Sequence, residues 1–266
     1  MPEPPEPSAL PSDPAAAIEV LARRHGPALY NLALRLCGSP ADAEELVQET
    51  FLNAYRAWEG FEGRSKVSTW LFTIARHACQ RMHRRRAGEP ARIEPLEELL
   101  PGPDEAVVDL EAASPFDEQM AREARSTVET ALGELPVEFR LPLVLVDIAE
   151  LSIGEAAEVL GLKENTVKTR VHRARHKLRR AIERTLPHRR IAATEPTEIC
   201  LSMLQAKQEA LDRRVDFPYP DDALCERCSA VFAALDLGRD ACAALARSTP
   251  PRGFATRIVE AVRAGG

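Results

Sequence analysis

Four of the six cysteines lie in the C-terminal segment, and their spacing is typical of metal ligands. Cys225 and Cys228 form a C-x2-C pair, which lets two sulfurs bind one ion, and Cys200 and Cys242 complete a set of four. The residues between Cys200 and Cys225 predict a helix and then a proline turn, which would fold the chain back so that Cys200 meets the pair. Four thiolates suit tetrahedral zinc or cadmium, and a subset of them suits Cu(I). The sequence therefore predicts a metal site in this segment.

Two other interpretations of these thiols stay open. Cys225 and Cys228 also have the spacing of a redox pair, in which the thiol pKa is often lowered. Cys200 and Cys242 also fit the role of packing residues, since free cysteine is commonly buried. For Cys37 and Cys79 we expect packing alone, because each lies within a predicted helix that has no partner motif.

The charges are segregated along the chain, although the formal net charge is only −6. The stretch 87–118 is acidic and rich in proline, with Arg92 as its lone basic residue, whereas the stretch 163–190 carries eleven lysines and arginines against two glutamates. Such asymmetry predicts a basic surface for a polyanion.

The basic stretch coincides with a predicted helix-turn-helix. Ser152 and Glu155 have the spacing of a capping box, which starts a short helix over 153–160, and Gly161 suits a left-handed end to that helix. A basic amphipathic helix is predicted over 165–184. Its apolar stripe consists of residues at spacings of three and four: Val167, Val171, Ala174 and Leu178.

In a helix-turn-helix, the second helix places its side chains against base edges in the major groove. A plain two-helix hairpin with a solvated face shares much of this pattern. His172 and His176 are four residues apart, a spacing that can bind metal, but on this helix we expect them to contact DNA or solvent.

The N-terminal part of the chain predicts a second nucleic-acid module. The stretch 42–51 is an amphipathic helix with an acidic and amidic outer face. A loop with Phe61 and Arg64 precedes a basic helix over 66–86. Aromatic side chains beside backbone-binding cations can hold single-stranded DNA.

We expect an all-α fold, because helical periodicity dominates and no strand-like alternation is present. The expected divisions are a disordered N-terminus (1–14), a helical domain (15–86), an acidic flexible linker (87–116), the helix-turn-helix domain (117–186), a short linker (187–196) and a small cysteine-containing helical domain (197–266). Phe254, Ile258, Val259 and Val262 predict a short amphipathic helix near the C-terminus.

Bulk features exclude several functional classes. No signal peptide and no run of about 20 apolar residues is present, so a soluble, cytoplasmic protein without a membrane partner is expected. Cysteines in that compartment more often bind metal or do redox chemistry than form a permanent disulfide framework. P-loop, nucleophile-elbow and zinc-protease motifs are absent, so we expect no enzyme activity.

Three stretches resemble extracytoplasmic-function (ECF) sigma factors of bacterial RNA polymerase. DAEELVQETFLNAYRAW resembles their helix that binds core polymerase. FEGRSKVSTWLFTIARHACQRMHRRR resembles the loop and helix that open and read the −10 element. ELPVEFRLPLVLVDIAELSIGEAAEVLGLKENTVKTRVHRARHKLRRAI resembles the domain that reads the −35 element.

The resemblance implies RNA polymerase core enzyme and promoter DNA as partners and leaves open whether a separate anti-sigma protein exists. It implies core-polymerase contacts at Asp42, Glu45, Gln48 and Glu49. For the −10 element, together with the basic helix end, the implied residues are Phe61, Arg64, Lys66, Arg81, Arg84 and Arg85. For the −35 element they are Thr166, Val167, Lys168, Arg170, Arg173 and Arg175.

Lys163 and Asn165 depart from the usual cap of this family's recognition helix, which leaves open which side chain reaches which base. The C-terminal segment resembles the cysteine-rich domain of CorE-like sigma factors, which respond to metal. That resemblance implies Cys200, Cys225, Cys228 and Cys242 as ligands of a regulatory copper, cadmium or zinc ion, with no catalytic cofactor. A redox-sensing sigma factor and a polymerase-independent helix-turn-helix regulator are the alternatives.

Overall fold

The computed structural model describes residues 10–83, 106–109, 118–191, 194–220, 223–247 and 249–265. The predicted all-α class is confirmed, apart from one two-residue strand pair. The helices are α1 (Pro14–Cys37), α2 (Pro40–Ala57), α3 (Val67–His83), α4 (Glu118–Glu134), α5 (Val137–Leu143), α6 (Ile153–Leu160), α7 (Glu164–Glu183), α8 (Thr197–Arg213), α9 (Glu226–Leu245) and α10 (Phe254–Gly265). A 3₁₀ turn, Trp58–Gly60, follows α2, and a π-helical turn, Val144–Ile148, follows α5.

The chain forms two compact units. The first comprises residues 1–87, 158–160 and 248–266, and the second comprises residues 88–157 and 161–247. The segment expected to form one C-terminal domain is therefore divided, since α8 and α9 belong to the second unit and α10 to the first. No described helix is both long and apolar enough to cross a membrane.

The first unit is built from α1, α2, α3 and α10. Asp13 caps α1 by accepting a hydrogen bond from the Ala16 amide at 2.8 Å, and Ser39 caps α2 by accepting one from Asp42 at 3.1 Å. Each cap is followed by a proline at the first helical position, where a missing amide hydrogen costs nothing. The apolar stripes of the helices form the core, including Ile18, Leu21, Leu29, Leu36, Leu46, Phe51 and Leu71.

The second unit places α9 against α4, α7 and α8. Gly238 of α9 faces Ile182 of α7, where an added Cβ would make an ordinary van der Waals contact at 3.5 Å. Leu204 and Leu211 of α8 share an apolar cluster with Val231 and Phe232 of α9. The cysteine-bearing helices thus extend the hydrophobic core of the helix-turn-helix domain.

A short antiparallel ladder joins β1 (Val107–Val108) to β2 (His188–Arg189). Val107 and Val108 are both buried, and the Asp109 amide extends the ladder by donating to the Pro187 carbonyl at 2.8 Å. Both strands lie in stretches that the sequence predicted to be linkers. Two residues are too few to give an alternating pattern, so this pairing left no periodic signal.

Candidate nucleic-acid interface and metal centre

The predicted capping box of α6 is confirmed. The Ser152 amide donates to the Glu155 carboxylate at 2.9 Å, and the Glu155 amide donates to the Ser152 hydroxyl at 3.2 Å. Gly161 has φ +64°, the left-handed conformation that the sequence predicted at the end of this helix. Ser152, Glu155 and Gly161 thus determine where α6 begins and ends, and α7 follows directly.

The apolar stripe predicted for α7 is confirmed, because Val167, Val171, Ala174 and Leu178 are all buried. Val167 was also expected to face duplex DNA, and the structure corrects that expectation by placing it in the core at 0% exposure. Other residues expected at the −35 element are half-buried, and these are Thr166, Lys168, Arg170 and Arg173.

Arg175 differs from its predicted position on an open face of α7. Its guanidinium donates two bonds to Asp147 of the π-helical turn, at 2.7 and 2.9 Å, and one to Asp212 of α8, at 2.6 Å. A bond to Gln208 at 3.1 Å completes the set, and the side chain is 7% exposed. Burial by itself would lower the pKa of Arg175, but Asp147 and Asp212 outweigh burial and raise it.

Asp212 also holds His172, whose Nε2 lies 2.8 Å from its Oδ2. Burial alone would raise the pKa of Asp212, but the hydrogen bond from His172 and the charge of Arg175 leave that pKa below its ordinary value. Lys168 donates to Glu209 of α8 at 3.1 Å. Three polar residues of α7, at spacings of four and three, are therefore bound by two carboxylates of α8.

His176 was expected to meet DNA or solvent, and the structure corrects this as well. The imidazole is 0% exposed, and its Nε2 lies 3.2 Å from the Gln208 amide nitrogen. Burial, and then the charges of Arg179 and other neighbours, lower its pKa well below the ordinary value of 6.5.

Four partners of α7 were not predicted from the sequence, namely Asp147, Gln208, Glu209 and Asp212. Asp212 follows Gln208 by four residues and Glu209 by three, so it is a neighbour of both on the surface of α8. An acidic face within the cysteine segment, opposite in sign to α7, was the signal available in the sequence.

Residues of the predicted −10 module surround an aromatic cluster in the first unit. The ring of Phe61 lies 5.7 Å from that of Trp58 and 4.7 Å from that of Trp70, and Phe61 remains half-buried. Arg64 is exposed and pairs with Glu62 at 3.1 Å, and Lys66 is exposed beside them. Stacked rings next to exposed cations are the features expected of a site for unpaired bases.

The residues predicted to meet polymerase lie on α2. Glu45 is exposed, whereas Asp42, Gln48 and Glu49 are half-buried. Glu49 forms an ion pair with Arg81 of α3 at 2.5 Å, which links a predicted polymerase residue to a predicted DNA residue. Arg84 and Arg85 lie outside the described residues.

Cys200, Cys225 and Cys228 form the candidate metal centre, and their sulfur atoms all lie within 4.8 Å of one another. Cys200 sits in the first turn of α8, while Cys225 caps the start of α9, where its sulfur accepts a bond from the Cys228 amide at 3.5 Å. The proline turn therefore returns the chain as the sequence predicted. Cys228 belongs to the apolar cluster of α8 and α9, and the partly buried residues packed against that cluster are Cys200, Met203, Phe217, Leu224 and Cys225.

Burial, and then the neighbouring Cys225 and Cys200, raise the pKa of Cys228. Closely spaced thiols resist ionising together because each new thiolate meets the charge of the others. A cation removes that penalty by binding all the thiolates at once.

Cys242 does not join the cluster, which corrects the expectation of four thiolates. Cys228 and Cys242 lie on the same helix 14 residues apart, which is about 21 Å along the axis at 1.5 Å per residue. Cys242 is 1% exposed. Cys79 is also buried and Cys37 half-buried, and none of the six cysteines, all within the described ranges, is in a disulfide.

Two regions of the chain match models of known protein families. The Sigma-70 region 2 family model matches residues 21–89, and the Sigma-70, region 4 model matches residues 125–178. The first match contains α2, the aromatic cluster and α3, and the second contains α5, α6 and most of α7. Residues 179–266, including the cysteine cluster, lie outside both matches.

Two curated relatives are ECF RNA polymerase sigma factors. The chain is 38% identical to SigE of Mycolicibacterium smegmatis over 161 residues, which are 60% of this chain and 59% of that protein. It is 34% identical to SigM of Mycobacterium tuberculosis over 166 residues, which are 62% of this chain and 77% of that protein. The chain thus spans less than two thirds of SigE and more than two thirds of SigM.

A solved structure of RpoE in complex with the anti-sigma factor NepR, from Bartonella quintana, is also similar. The matched chain is 27% identical to this one. The match covers 59% of this chain and 90% of that chain, with a TM-score of 0.41. With the two sigma regions matched in order and SigM aligned over most of its length, the chain belongs to the family of ECF RNA polymerase sigma factors.

Proposed function

We propose that this protein directs core RNA polymerase to specific promoters and that a metal ion bound by Cys200, Cys225 and Cys228 controls this activity. Membership of the ECF family supports the first part. The grouping of three sulfurs within 4.8 Å is the observation that carries the second.

In this proposal the first unit binds polymerase and opens DNA. Asp42, Glu45, Gln48 and Glu49 of α2 meet the core enzyme, and exposure of Glu45 is consistent with that role. The aromatic cluster of Trp58, Phe61 and Trp70, with Arg64 and Lys66, accepts unpaired bases of the −10 element. Stacking on aromatic rings contributes about 1–3 kcal/mol per base in single-strand binding proteins.

The second unit reads the −35 element through α7. Lys168, Arg170 and Arg173 are the cations proposed to bond phosphate or guanine, which basic side chains do in the major groove. Arg175 joins them only if its present partners on α8 and in the π-helical turn release it.

The cysteine cluster fits a soft metal ion. In a zinc–thiolate site with Zn–S of about 2.3 Å, the sulfurs lie about 3.8 Å apart, so a small contraction of the cluster suffices. Cu(I), cadmium and zinc are the candidate ions, because thiolates select soft metals. Among the described residues, no histidine or carboxylate joins the three sulfurs.

We propose that the chain without its signal metal favours a state that binds promoter DNA poorly, and that ligation shifts the balance toward the competent state. A shift from 1:99 to 99:1 requires about 5.5 kcal/mol of differential binding. Structural zinc sites in peptides reach ~10–16 kcal/mol, so the required energy is within range. CorE-like sigma factors, which the C-terminal segment resembles, respond to metal in this general sense.

Binding to core polymerase tests the sigma-factor function. The Glu45→Arg variant changes an exposed side chain of α2 and should weaken binding to bacterial core enzyme by at least about tenfold, which is 1.4 kcal/mol. Glu195→Arg makes the same charge change at an exposed residue far along the chain and is the matched control. A purified chain that binds duplex DNA but not core enzyme would instead be a polymerase-independent regulator.

Metal titration of the reduced chain tests the cysteine site. Wild type and Cys242→Ala should each bind one Cd(II) with thiolate-to-metal absorption, while Cys200→Ser and Cys228→Ser should bind it more than about a hundredfold more weakly. Loss of even a supporting residue near a metal costs 10–100-fold, so loss of a ligand should exceed that. Equal losses for Cys242→Ala and Cys200→Ser would refute the three-thiolate site.

A further inference from the structure

We propose that helix α8 is an internal competitor of promoter DNA, because its carboxylates bind the polar face of α7 that would otherwise meet the −35 element. This inference rests on the proposed DNA-reading role of α7. In this inference, α8 blocks DNA binding by α7 and also connects the cysteine cluster to α7.

The contacts between α8 and α7 lie on one face of each helix. Lys168, His172 and Arg175 follow the i, i+4, i+7 spacing of a single helical face. They bind Glu209 and Asp212, which lie three residues apart on α8. The contact therefore occupies a continuous strip of the recognition helix.

The chemistry of this strip resembles that of a protein–DNA interface. Arginine binds carboxylate and phosphate with the same planar fork, and lysine binds either as a point charge. Asp212 and Glu209 thus take positions on α7 that phosphate oxygens of a duplex would take. Negative charge on α8 satisfies the cations of α7 and repels the DNA backbone.

Burial makes the two partners mutually exclusive. The side chains of Arg175 and Asp212 are each 7% exposed, and that of His172 is 12% exposed. A duplex cannot reach these atoms while α8 covers them, so promoter binding by this strip requires α8 to move.

Both ends of α8 are attached to the second unit. At its C-terminal end, Arg214 has φ +53° and donates to the carbonyls of Val146 at 3.0 Å and Leu151 at 3.2 Å. Lys207 pairs with Asp236 of α9 at 2.7 Å. At the other end, Cys200 lies in the cysteine cluster with the start of α9.

The cysteine cluster and the DNA-mimicking carboxylates are therefore on one rigid element. Glu209 and Asp212 lie nine and twelve residues after Cys200, about 13–18 Å along α8. Any movement of Cys200 toward Cys225 and Cys228 tilts the helix and displaces its acidic face relative to α7. Helix α8 therefore connects the cysteine cluster to α7.

The test removes the two carboxylates without changing side-chain shape. Full-length wild type and the Glu209→Gln/Asp212→Asn variant are titrated against a fluorescent 30-base-pair duplex of random sequence, and the dissociation constant is measured by anisotropy over a range of salt concentrations. The matched control is Glu195→Gln/Glu198→Gln, which removes two charges from exposed residues that precede and begin α8.

We expect the Glu209→Gln/Asp212→Asn variant to bind the duplex about tenfold more tightly than wild type at low salt, whereas the control variant changes affinity by less than about threefold. Each phosphate contact adds about 0.9 to the slope of log affinity against log salt, so release of Lys168 should steepen that slope by about one, since Asp147 still binds Arg175 in this variant. The control should leave the slope unchanged, because distant charge removal adds no contact. Glu209→Gln alone, at a side chain that is 36% exposed, gives a smaller effect in the same direction without threatening the fold.

Equal affinity and equal slope for the variant and the control would overturn the covering role of α8 while leaving the sigma-factor function intact. Failure of every protein, the double variant included, to bind the duplex would instead overturn the proposed DNA-reading role of α7, and the inference with it. A result in which only affinity changes, equally in both variants, identifies a general charge effect and also overturns the inference.

Discussion

At the scale of single residues, His176 is a buried imidazole on a helix that otherwise carries cations. Its pKa lies well below 6.5 because burial, and then the charges of Arg179, His172 and other neighbours, disfavour the protonated ring. In the unfolded chain the same ring protonates near its ordinary value of about 6.5. The folded state therefore binds fewer protons than the unfolded state just below that pH.

This difference predicts that the second unit loses stability as the pH falls below about 6.5. Each pH unit between the ordinary and the lowered pKa removes up to about 1.4 kcal/mol, and stability is flat above this window. Urea unfolding followed by circular dichroism measures this loss, because both tryptophans, Trp58 and Trp70, lie in the first unit and their fluorescence reports on that unit.

Comparison with His176→Gln isolates this residue. The substituted side chain keeps a nitrogen near Gln208 but does not titrate, so the loss between pH 7.5 and pH 5.5 should be about 1 kcal/mol smaller than in wild type. His188→Gln, which changes an exposed imidazole, is the control and should behave as wild type. An unchanged pH dependence in His176→Gln would contradict the assignment.

Sequence periodicity predicted the buried stripe of α7 but not the burial of Arg175 and His176. Those two residues follow Ala174 directly, so they extend the buried surface to a second side of the helix. On that side, Arg175 is bound by Asp147 of the π-helical turn and by Asp212 of α8, and His176 lies beside Gln208 of α8, all more than 25 residues away in the chain. Partners so distant in sequence leave no local signal.

The cysteine cluster was likewise predicted only in part from the sequence. Spacing identified the C-x2-C pair, and the proline turn correctly predicted the return of Cys200. The prediction of Cys242 as a fourth ligand was wrong because it did not take the length of α9 into account. Fourteen residues of one continuous helix separate Cys242 from Cys228, so the two sulfurs cannot bind the same ion.

At the scale of elements, the caps were predictable because they involve neighbours in the chain. Ser152 and Glu155 bond across three residues, and Gly161 supplies its own backbone conformation. The docking of α10 was not predictable, since its apolar face has the same pattern whichever partner covers it. In the structure, α10 packs on α1 and α2.

Phe254 anchors α10 in the first unit. Its ring lies edge-on to Tyr30 with centroids 5.0 Å apart and also faces Gly26, where an added Cβ would be in van der Waals contact with the ring at 3.6 Å. Two ion pairs flank the contact, from Arg257 to Glu44 at 3.1 Å and from Arg263 to Glu19 at 3.2 Å. Both pairs are partly exposed, so we expect the apolar contact to contribute more.

Phe254→Ala should destabilise the first unit by about 3–5 kcal/mol if α10 stays docked, or by the smaller docking energy if α10 detaches. Tryptophan fluorescence during urea unfolding measures this directly, because both tryptophans belong to the first unit. Glu260→Ala, at an exposed position of the same helix, is the control and should change stability by less than about 0.5 kcal/mol. No difference between the two variants would show that α10 does not support the sigma region 2 fold.

At the scale of the whole molecule, the C-terminal segment contributes to both units. Helices α8 and α9 complete the core around α7, and α10 completes the core around α1 and α2. A segment after the two sigma regions that packs on both of them can alter polymerase binding and DNA binding through contacts within one chain. The control that we propose would act through these contacts within the chain.

Transcription in vitro with core polymerase tests the link between metal and promoter use. We expect the candidate metals, Cu(I), Cd(II) and Zn(II), added singly, to include one that raises wild-type promoter-directed transcription by at least about tenfold, equivalent to 1.4 kcal/mol of shift between the two states. Cys242→Ala should keep that response, and Cys228→Ser should lose it because it lacks a ligand.

The Glu209→Gln/Asp212→Asn variant should be active without added metal, because α8 no longer holds the cations of α7. An identical metal response in Cys228→Ser and wild type would separate the cysteine cluster from control of transcription, and a metal-dependent Glu209→Gln/Asp212→Asn variant would show that the signal reaches α7 by a route other than α8.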